Sequence, residues 1–234
     1  MGLPRDPASF RFHLIWEGQD NKIFVIMIRP ALELPPELLA EAGVLPSRKH
    51  LLEKLPTGRV FAEIGVGLGI FTRGVLKTCR PSHFLAVDNF QLHQIEVLWG
   101  KPTLELFEGK THRAYYESLF IDECSSGRMT VREGDSAEII RSLPDQSVDI
   151  LYLDADHSYE GVKRDLAEVD RKITRDGFLI LNDYTFLENV GSKGEYGVIQ
   201  AGHEFMVAHG WQMVWFVLQP YMFCDVCLRR LDRA

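Results

Sequence analysis

The chain reads as an α/β protein. It is expected to form a doubly wound, mostly parallel sheet of seven strands that ends in an antiparallel C-terminal hairpin. Three observations predict this. From Ser47 onward, short apolar runs alternate with helical segments, a pattern that gives a parallel sheet covered on both faces. The first of these runs passes through a glycine-rich turn into a helix. The last two runs are joined only by Gln219-Pro220, too short for the crossover a parallel neighbour needs.

The elements follow in order. Phe12 to Trp16 and Lys22 to Ile28 are apolar runs around Glu17-Gly18-Gln19-Asp20-Asn21, the pattern of a β-hairpin. Pro30, Pro35, Pro36 and Pro46 punctuate a short helix near Glu37 to Ala42. Residues 1–46 are therefore expected to form a cap and 47–234 the main domain. Arg48 to Leu55 reads as helix. Strands follow at Val60 to Ile64, His83 to Val87, Met129 to Arg132, Val148 to Leu153 and Phe178 to Leu181. Helices are expected from Ile70, around Arg113 to Ile121, and over Ala137 to Ser142, Tyr159 to Ile173 and Val198 to His209. Trp211 to Leu218 and Tyr221 to Leu228 complete the sheet.

A length of 234 residues suits one ordinary domain with a full core. The formal net charge of −7 argues against a nucleic-acid partner, which favours a basic face. Arg229, Arg230 and Arg233 read as a short solvated tail. No apolar run is long enough to span a bilayer, and Met1 to Asp6 lacks the apolar stretch of a signal peptide. A cytoplasmic location without membrane contact is the expectation. Of the four cysteines, Cys224 and Cys227 form a lone C-x-x-C with no second pair to complete a zinc site. Buried, unbridged thiols are expected.

The chemistry concentrates at Glu63-Ile64-Gly65-Val66-Gly67-Leu68-Gly69, between the first domain strand and its helix. Glycines there tolerate positive φ and let backbone approach a ligand closely. A dinucleotide turn wants G-x-G-x-x-G; here the third position is Ile70, and Gly69 sits one residue early. Glu63 would also oppose a diphosphate. Acids close the other strands: Asp88, Asp135, Asp154 and Asp183. Each alone fits a helix cap or loop acid. Ligands of open α/β sheets lie at these carboxyl ends, and an acid-lined edge suits a cationic ligand.

This turn resembles motif I of the class I S-adenosylmethionine-dependent methyltransferases, whose sheet is Rossmann-like. The resemblance covers about Val60 to Leu228. It implies S-adenosyl-L-methionine as cofactor, with Glu63 and the backbone of Gly65, Gly67 and Gly69 at its methionine part. Asp88 and Asn89 would take the ribose, and Asp135 and Ser136 the adenine edge.

Asp154-Ala155-Asp156-His157 forms a second motif. It resembles the turn of small-molecule and sugar O-methyltransferases that are metal-dependent. The likeness makes Asp154 a cofactor-side and catalytic acid and His157 a general base. It also makes Asp154 and Asp183 ligands of Mg2+ or another divalent cation. Departures from the pattern are Asn182-Asp183 in place of two adjacent acids, and Tyr184 where catechol-type relatives carry Asn. Turn capping stands beside the metal role for both acids, and Asp156 is a candidate cap of the helix at Tyr159. A base such as His157 suits a hydroxyl acceptor, because imidazole titrates near neutrality.

The expected activity is O-methylation of a small metabolite or sugar. A noncatalytic S-adenosylmethionine-binding subunit and a nicotinamide-dependent oxidoreductase are the alternatives. The acceptor is expected to meet the N-terminal segment, Gln91 to Ser126 and a loop over Glu188 to Tyr196, with Trp99, Tyr115, Tyr116, Tyr184 and Tyr196 as candidate lining. The Gly191-Ser192-Lys193-Gly194 tract suggests mobility near the site, and the N-terminal segment is a candidate homodimer contact. His203 and His209 are expected at the surface.

Overall fold

The computed structural model describes residues 12–17, 23–28, 30–186 and 196–231. The expected turn at 18–22, the tract at 191–194, most of the 188–196 loop and Arg233 lie outside them. Two strands open the chain, β1 (Phe12–Glu17) and β2 (Ile23–Ile28). They pair antiparallel, with Phe12 opposite Ile28 and Glu17 opposite Ile23, as a sheet of their own.

Where the prolines predicted a helix, the chain makes one 3-10 turn, Pro36–Leu38. It then enters an unexpected strand, β3 (Gly43–Leu45). Glycine is needed at its start, since a Cβ on Gly43 would lie 2.5 Å from the Trp215 ring. The helix α1 (Arg48–Lys54) leads to β4 (Val60–Ile64), α2 (Ile70–Thr78) and β5 (His83–Asp88).

A long insert follows. It holds a small hairpin, β6 (Val97–Leu98) and β7 (Lys101–Pro102), then α3 (Thr103–Leu106). The single helix expected near Arg113 to Ile121 is two, α4 (His112–Leu119) and α5 (Ile121–Ser125). Next come β8 (Met129–Glu133), α6 (Ser136–Ser142), β9 (Val148–Leu153) and α7 (Tyr159–Lys172). The chain ends with β10 (Ile173–Leu181), α8 (Val198–His209), β11 (Trp211–Val217) and β12 (Asp225–Arg230).

The main sheet has eight strands, in the order β3-β11-β12-β10-β9-β4-β5-β8. Seven were expected; β3 adds the eighth by pairing parallel to β11. The segment β10-β9-β4-β5-β8 is parallel, and β12 runs antiparallel to both β10 and β11. The hairpin connection is longer than Gln219-Pro220, because a 3-10 turn at Pro220–Met222 delays β12 to Asp225. Proline has no N–H to give a ladder. Arg229 and Arg230 therefore end a strand rather than a solvated tail. Arg229 reaches Glu41, and Arg230 donates to the Thr174 and Ile173 carbonyls.

Side chains alternate across the sheet. Ala62, Ile64, Leu151 and Leu153 pack under α6, α7 and α8, whereas Phe61, Phe84, Ile150 and Tyr152 pack with α1, α2 and α4. The thiols of Cys79, Cys224 and Cys227 are buried and unbridged. His203 is half-buried rather than exposed, held between the Tyr184 hydroxyl and the Leu32 carbonyl. No helix among the described residues is long and apolar enough to cross a membrane.

Phe61 is wholly buried and stacks on Phe84 with ring centroids 5.7 Å apart. Phe61→Ala should cost about 3–5 kcal/mol. Urea unfolding at constant m-value measures it, and a loss below about 1 kcal/mol would place Phe61 outside the cooperative core.

Candidate active site

The glycine turn sits at the carboxyl end of β4, between β5 and β9. The Gly65 N–H donates to the Val87 carbonyl (2.7 Å), and the Asp154 N–H donates to the Ile64 carbonyl (2.7 Å). Gly65 has φ +88, and a Cβ there would lie 1.7 Å from the Asp154 carbonyl oxygen. Only glycine lets the two strand ends approach this closely. Gly69, at φ +70, starts α2.

Glu63 points beneath the turn and is 1% exposed. The Thr72 hydroxyl donates to its Oε2 at 2.6 Å, and the Tyr116 hydroxyl lies 3.1 Å from that of Thr72. Burial pushes the Glu63 carboxyl well above the usual carboxylate range. Asp88 spans the turn: its Oδ2 accepts the Val66 N–H (2.9 Å) and its Oδ1 the Phe90 N–H (2.7 Å). Asp135 caps α6 by accepting the Glu138 N–H, and pairs with Arg164 at 3.0 Å. The Ser136 hydroxyl donates to Asp165.

A cleft of about 1240 Å³ opens over these strand ends. It brings together Glu63, Gly65, Gly67, Asp88, Asn89, Asp135, Ser136 and Asp154. Gly69, His157 and Asp183 are not among its lining. Trp99 lines it from the tip of the β6–β7 hairpin. Of the other candidate aromatics, Tyr116 is core, Tyr115 packs on Phe107, Tyr184 bonds His203, and Tyr196 stacks on His157.

Beside the cleft, one nitrogen of His157, Nε2, faces three acceptors. They are Asn182 Oδ1 at 3.1 Å, Asp154 Oδ1 at 3.4 Å and Asp183 Oδ2 at 4.0 Å. The Asn182 amide cannot turn over, because its Nδ2 donates to the Tyr152 hydroxyl (3.0 Å) and Asp225 Oδ1 (3.1 Å). Its oxygen therefore faces His157 and fixes Nε2 as the protonated nitrogen. Tyr196 stacks on the ring, with centroids 4.7 Å apart. Burial opposes the imidazolium, but the hydrogen bond and charge of Asp154, with the charge of Asp183, raise its pKa above the ordinary 6.5. Asp183 has φ +51, and burial pushes its carboxyl up to about 6. Asp156 does not cap α7. Ser158 does, and Asp156 accepts the Ser158 N–H.

Behind this cluster lies an ion pair that the sequence reading missed. Arg48 donates from Nε and Nη2 to Asp225, at 2.7 and 2.9 Å, and its Nη2 lies 3.6 Å from Asp183. The available signal was Asp225 itself, a lone acid in the apolar run Phe223 to Leu228. Such an acid needs a buried partner. Arg48 carried no comparable signal.

Asp154 and Asp183 are turned on His157, and Asp183 also faces the Arg48 cation. Magnesium finds no support in this arrangement: among the described residues, no group of three or more His, Cys, Asp or Glu is placed to hold a metal.

A glycine turn at the switch point of a doubly wound sheet, with acids at successive strand ends, defines an α/β protein of Rossmann-like fold with a ligand cleft over its strand ends. Residues 62–184 match the model of a family described as a methyltransferase domain. That is more than half of the chain, and the protein belongs to this family. The oxidoreductase alternative falls with that assignment. No curated protein matches the chain. Among solved structures, the pyocyanin biosynthetic protein PhzM is 14% identical with a TM-score of 0.53; the match covers 78% of this chain and 54% of that one. A SAM-dependent methyltransferase from Aquifex aeolicus is 16% identical, with a TM-score of 0.52 and coverage of 83% and 93%. A putative rRNA methylase from Clostridium thermocellum is 11% identical, with a TM-score of 0.54 and coverage of 80% and 95%. At such identities the likeness is one of fold.

Arg48→Met should destabilise the protein by about 3 kcal/mol, because Asp225 is left buried and uncompensated. Pairing it with Asp225→Leu should recover part of that loss. A double mutant as unstable as the sum of both singles would show that Arg48 and Asp225 are not energetically coupled.

Proposed function

We propose that the protein transfers a methyl group from S-adenosyl-L-methionine to a hydroxyl of a small metabolite or sugar. The observation that carries this is the His157 imidazole, held by Asn182, Asp154 and Asp183 beside the cleft, which Asp154 itself lines.

Bound in the cleft, the cofactor would supply an electrophilic methyl on a sulfonium. The chain's own residues would do the rest. The Gly65–Gly69 backbone gives close approach, Asp88 suits the ribose diol, and Asp135 with Ser136 suits the adenine edge. His157 has its proton on Nε2, so the free base position is Nδ1. There it would take the acceptor hydroxyl proton as the oxygen attacks. The imidazolium so formed sits beside two carboxylates, which stabilise it. Positioning of acceptor against donor carries much of the remaining acceleration. The hydroxyl acceptor rests on this base: a base with a raised pKa serves a weakly acidic alcohol better than an ordinary imidazole would.

Isothermal titration with S-adenosylmethionine should show binding at or below millimolar ligand. No heat at that concentration rejects the cofactor. In a screen of sugar and phenolic acceptors, His157→Ala should lower kcat by about 10²–10⁴-fold with little change in cofactor affinity. Unchanged turnover rejects the base.

The pH profile has a definite sign. The neutral imidazole is the active form, and its pKa is raised above 6.5. Activity should therefore climb as pH rises through a value above 6.5, and Asp183→Asn should move that limb to lower pH. A limb that stays in place would detach Asp183 from His157.

A further inference from the structure

His112 lies outside both the lining of the cleft and the cluster around His157. We infer that it is a positioning residue for the cofactor: its imidazole pins the Gly67 peptide and so sets the shape of the glycine turn. This rests on the proposed use of the cleft for S-adenosylmethionine.

The side chain opens α4 and is wholly buried. Its Nε2 lies 2.7 Å from the Gly67 carbonyl oxygen. A carbonyl only accepts, so Nε2 carries the proton. Nδ1 is buried with no hydrogen-bond partner and lies 3.9 Å from Asp88 Oδ1. Phe90 meets the ring edge-on and Phe107 at a tilt, each with centroids 5.0 Å away.

These contacts close a ring. Gly67 is held by His112, and His112 packs on Phe90. The Phe90 N–H is held by Asp88, and Asp88 also holds Val66, the neighbour of Gly67. Two members of the ring have left-handed backbone, Gly67 at φ +46 and Phe90 at φ +53. Glycine adopts this conformation freely, whereas Phe90 keeps it only because its surroundings hold it. The insert between β5 and β8 thus reaches back across the sheet edge to set the loop under the ligand. An imidazole buried with a bare nitrogen is costly against an apolar side chain of similar size. Its hydrogen bond to the turn is what that side chain could not supply.

The test is titration of the full chain with S-adenosylhomocysteine. Glutamine can place an amide nitrogen near the site of Nε2, whereas asparagine reaches only to that of Nδ1. His112→Leu and His112→Asn should each weaken binding about tenfold, and His112→Gln should restore most of it. A general packing defect would not single out glutamine. Equal affinity for His112→Leu and wild type, or glutamine no better than asparagine, overturns the inference. Should the variants fail to fold, ¹⁵N NMR of the wild-type imidazole decides. An Nε2–H tautomer whose signals shift on adding S-adenosylhomocysteine supports the role, and an Nδ1–H tautomer or unmoved signals overturns it. Wild-type protein that binds no S-adenosylhomocysteine rejects the cofactor reading itself, and this inference with it.

Discussion

Asp225 is wholly buried in an antiparallel strand, yet it is a carboxylic acid. Burial pushes its pKa up, and the Arg48 guanidinium works against that shift. A buried charge needs partners, and the partners here come from separate parts of the chain. Arg48 arrives from α1, Asn182 from the turn after β10, and the Tyr152 hydroxyl from β9 (3.5 Å). Satisfying one carboxylate therefore ties the first domain helix to the ends of three adjacent strands. The tie also reaches the proposed chemistry, since Asp225 fixes the Asn182 amide and Asn182 fixes the His157 tautomer.

The glycine turn obeys a different constraint, one of space. Gly65 and the Asp154 carbonyl cross closer than any Cβ allows. That crossing brings the end of β4 against the end of β9, so the turn and the acid–histidine motif share one edge. Ligands of open α/β sheets collect where the strand order reverses, and β4 sits there, with β5 on one side and β9 on the other. The glycine-turn end of the cleft is thus made largely from backbone and from short-range side chains such as Asp88.

That difference explains what could be read from the sequence. The central parallel strands β4, β5 and β9 were legible because their apolar runs are buried on both faces, which leaves little choice of element. The cleft residues from Glu63 to Asp135 were legible because turn chemistry is local. β3 was not, since three residues of strand follow from pairing with Trp215 to Val217 and from nothing nearby in the sequence. The split of the helix near Phe120 and the 3-10 turn at Pro220 are boundaries set by packing, which propensity leaves open. His112 and Arg48 were invisible for a related reason: their partners are 45 and 177 residues away. Asp156 shows the opposite error, where a local cap fitted the sequence but Ser158 fits the geometry.

The Arg48–Asp225 pair is hard to justify as a source of stability. Apolar side chains of matching volume commonly replace buried ion pairs at no loss. Orientation is the better account, and Asp183 makes the case. Its backbone stands at φ +51 without being glycine, a strain of about 1–3 kcal/mol. It is held from both sides: Asn182 before it is anchored to Asp225, and the Tyr184 N–H after it donates to the Cys224 carbonyl. Both anchors lie next to or on the residue that Arg48 neutralises. An apolar pair would pack the same space but would remove Asp225 Oδ1, one of the two acceptors that fix the Asn182 amide, and leave only the Tyr152 hydroxyl. A turned amide would present its NH2 group in place of the Oδ1 that accepts from His157 Nε2. The ion pair is retained where the alternative would cost the histidine its setting.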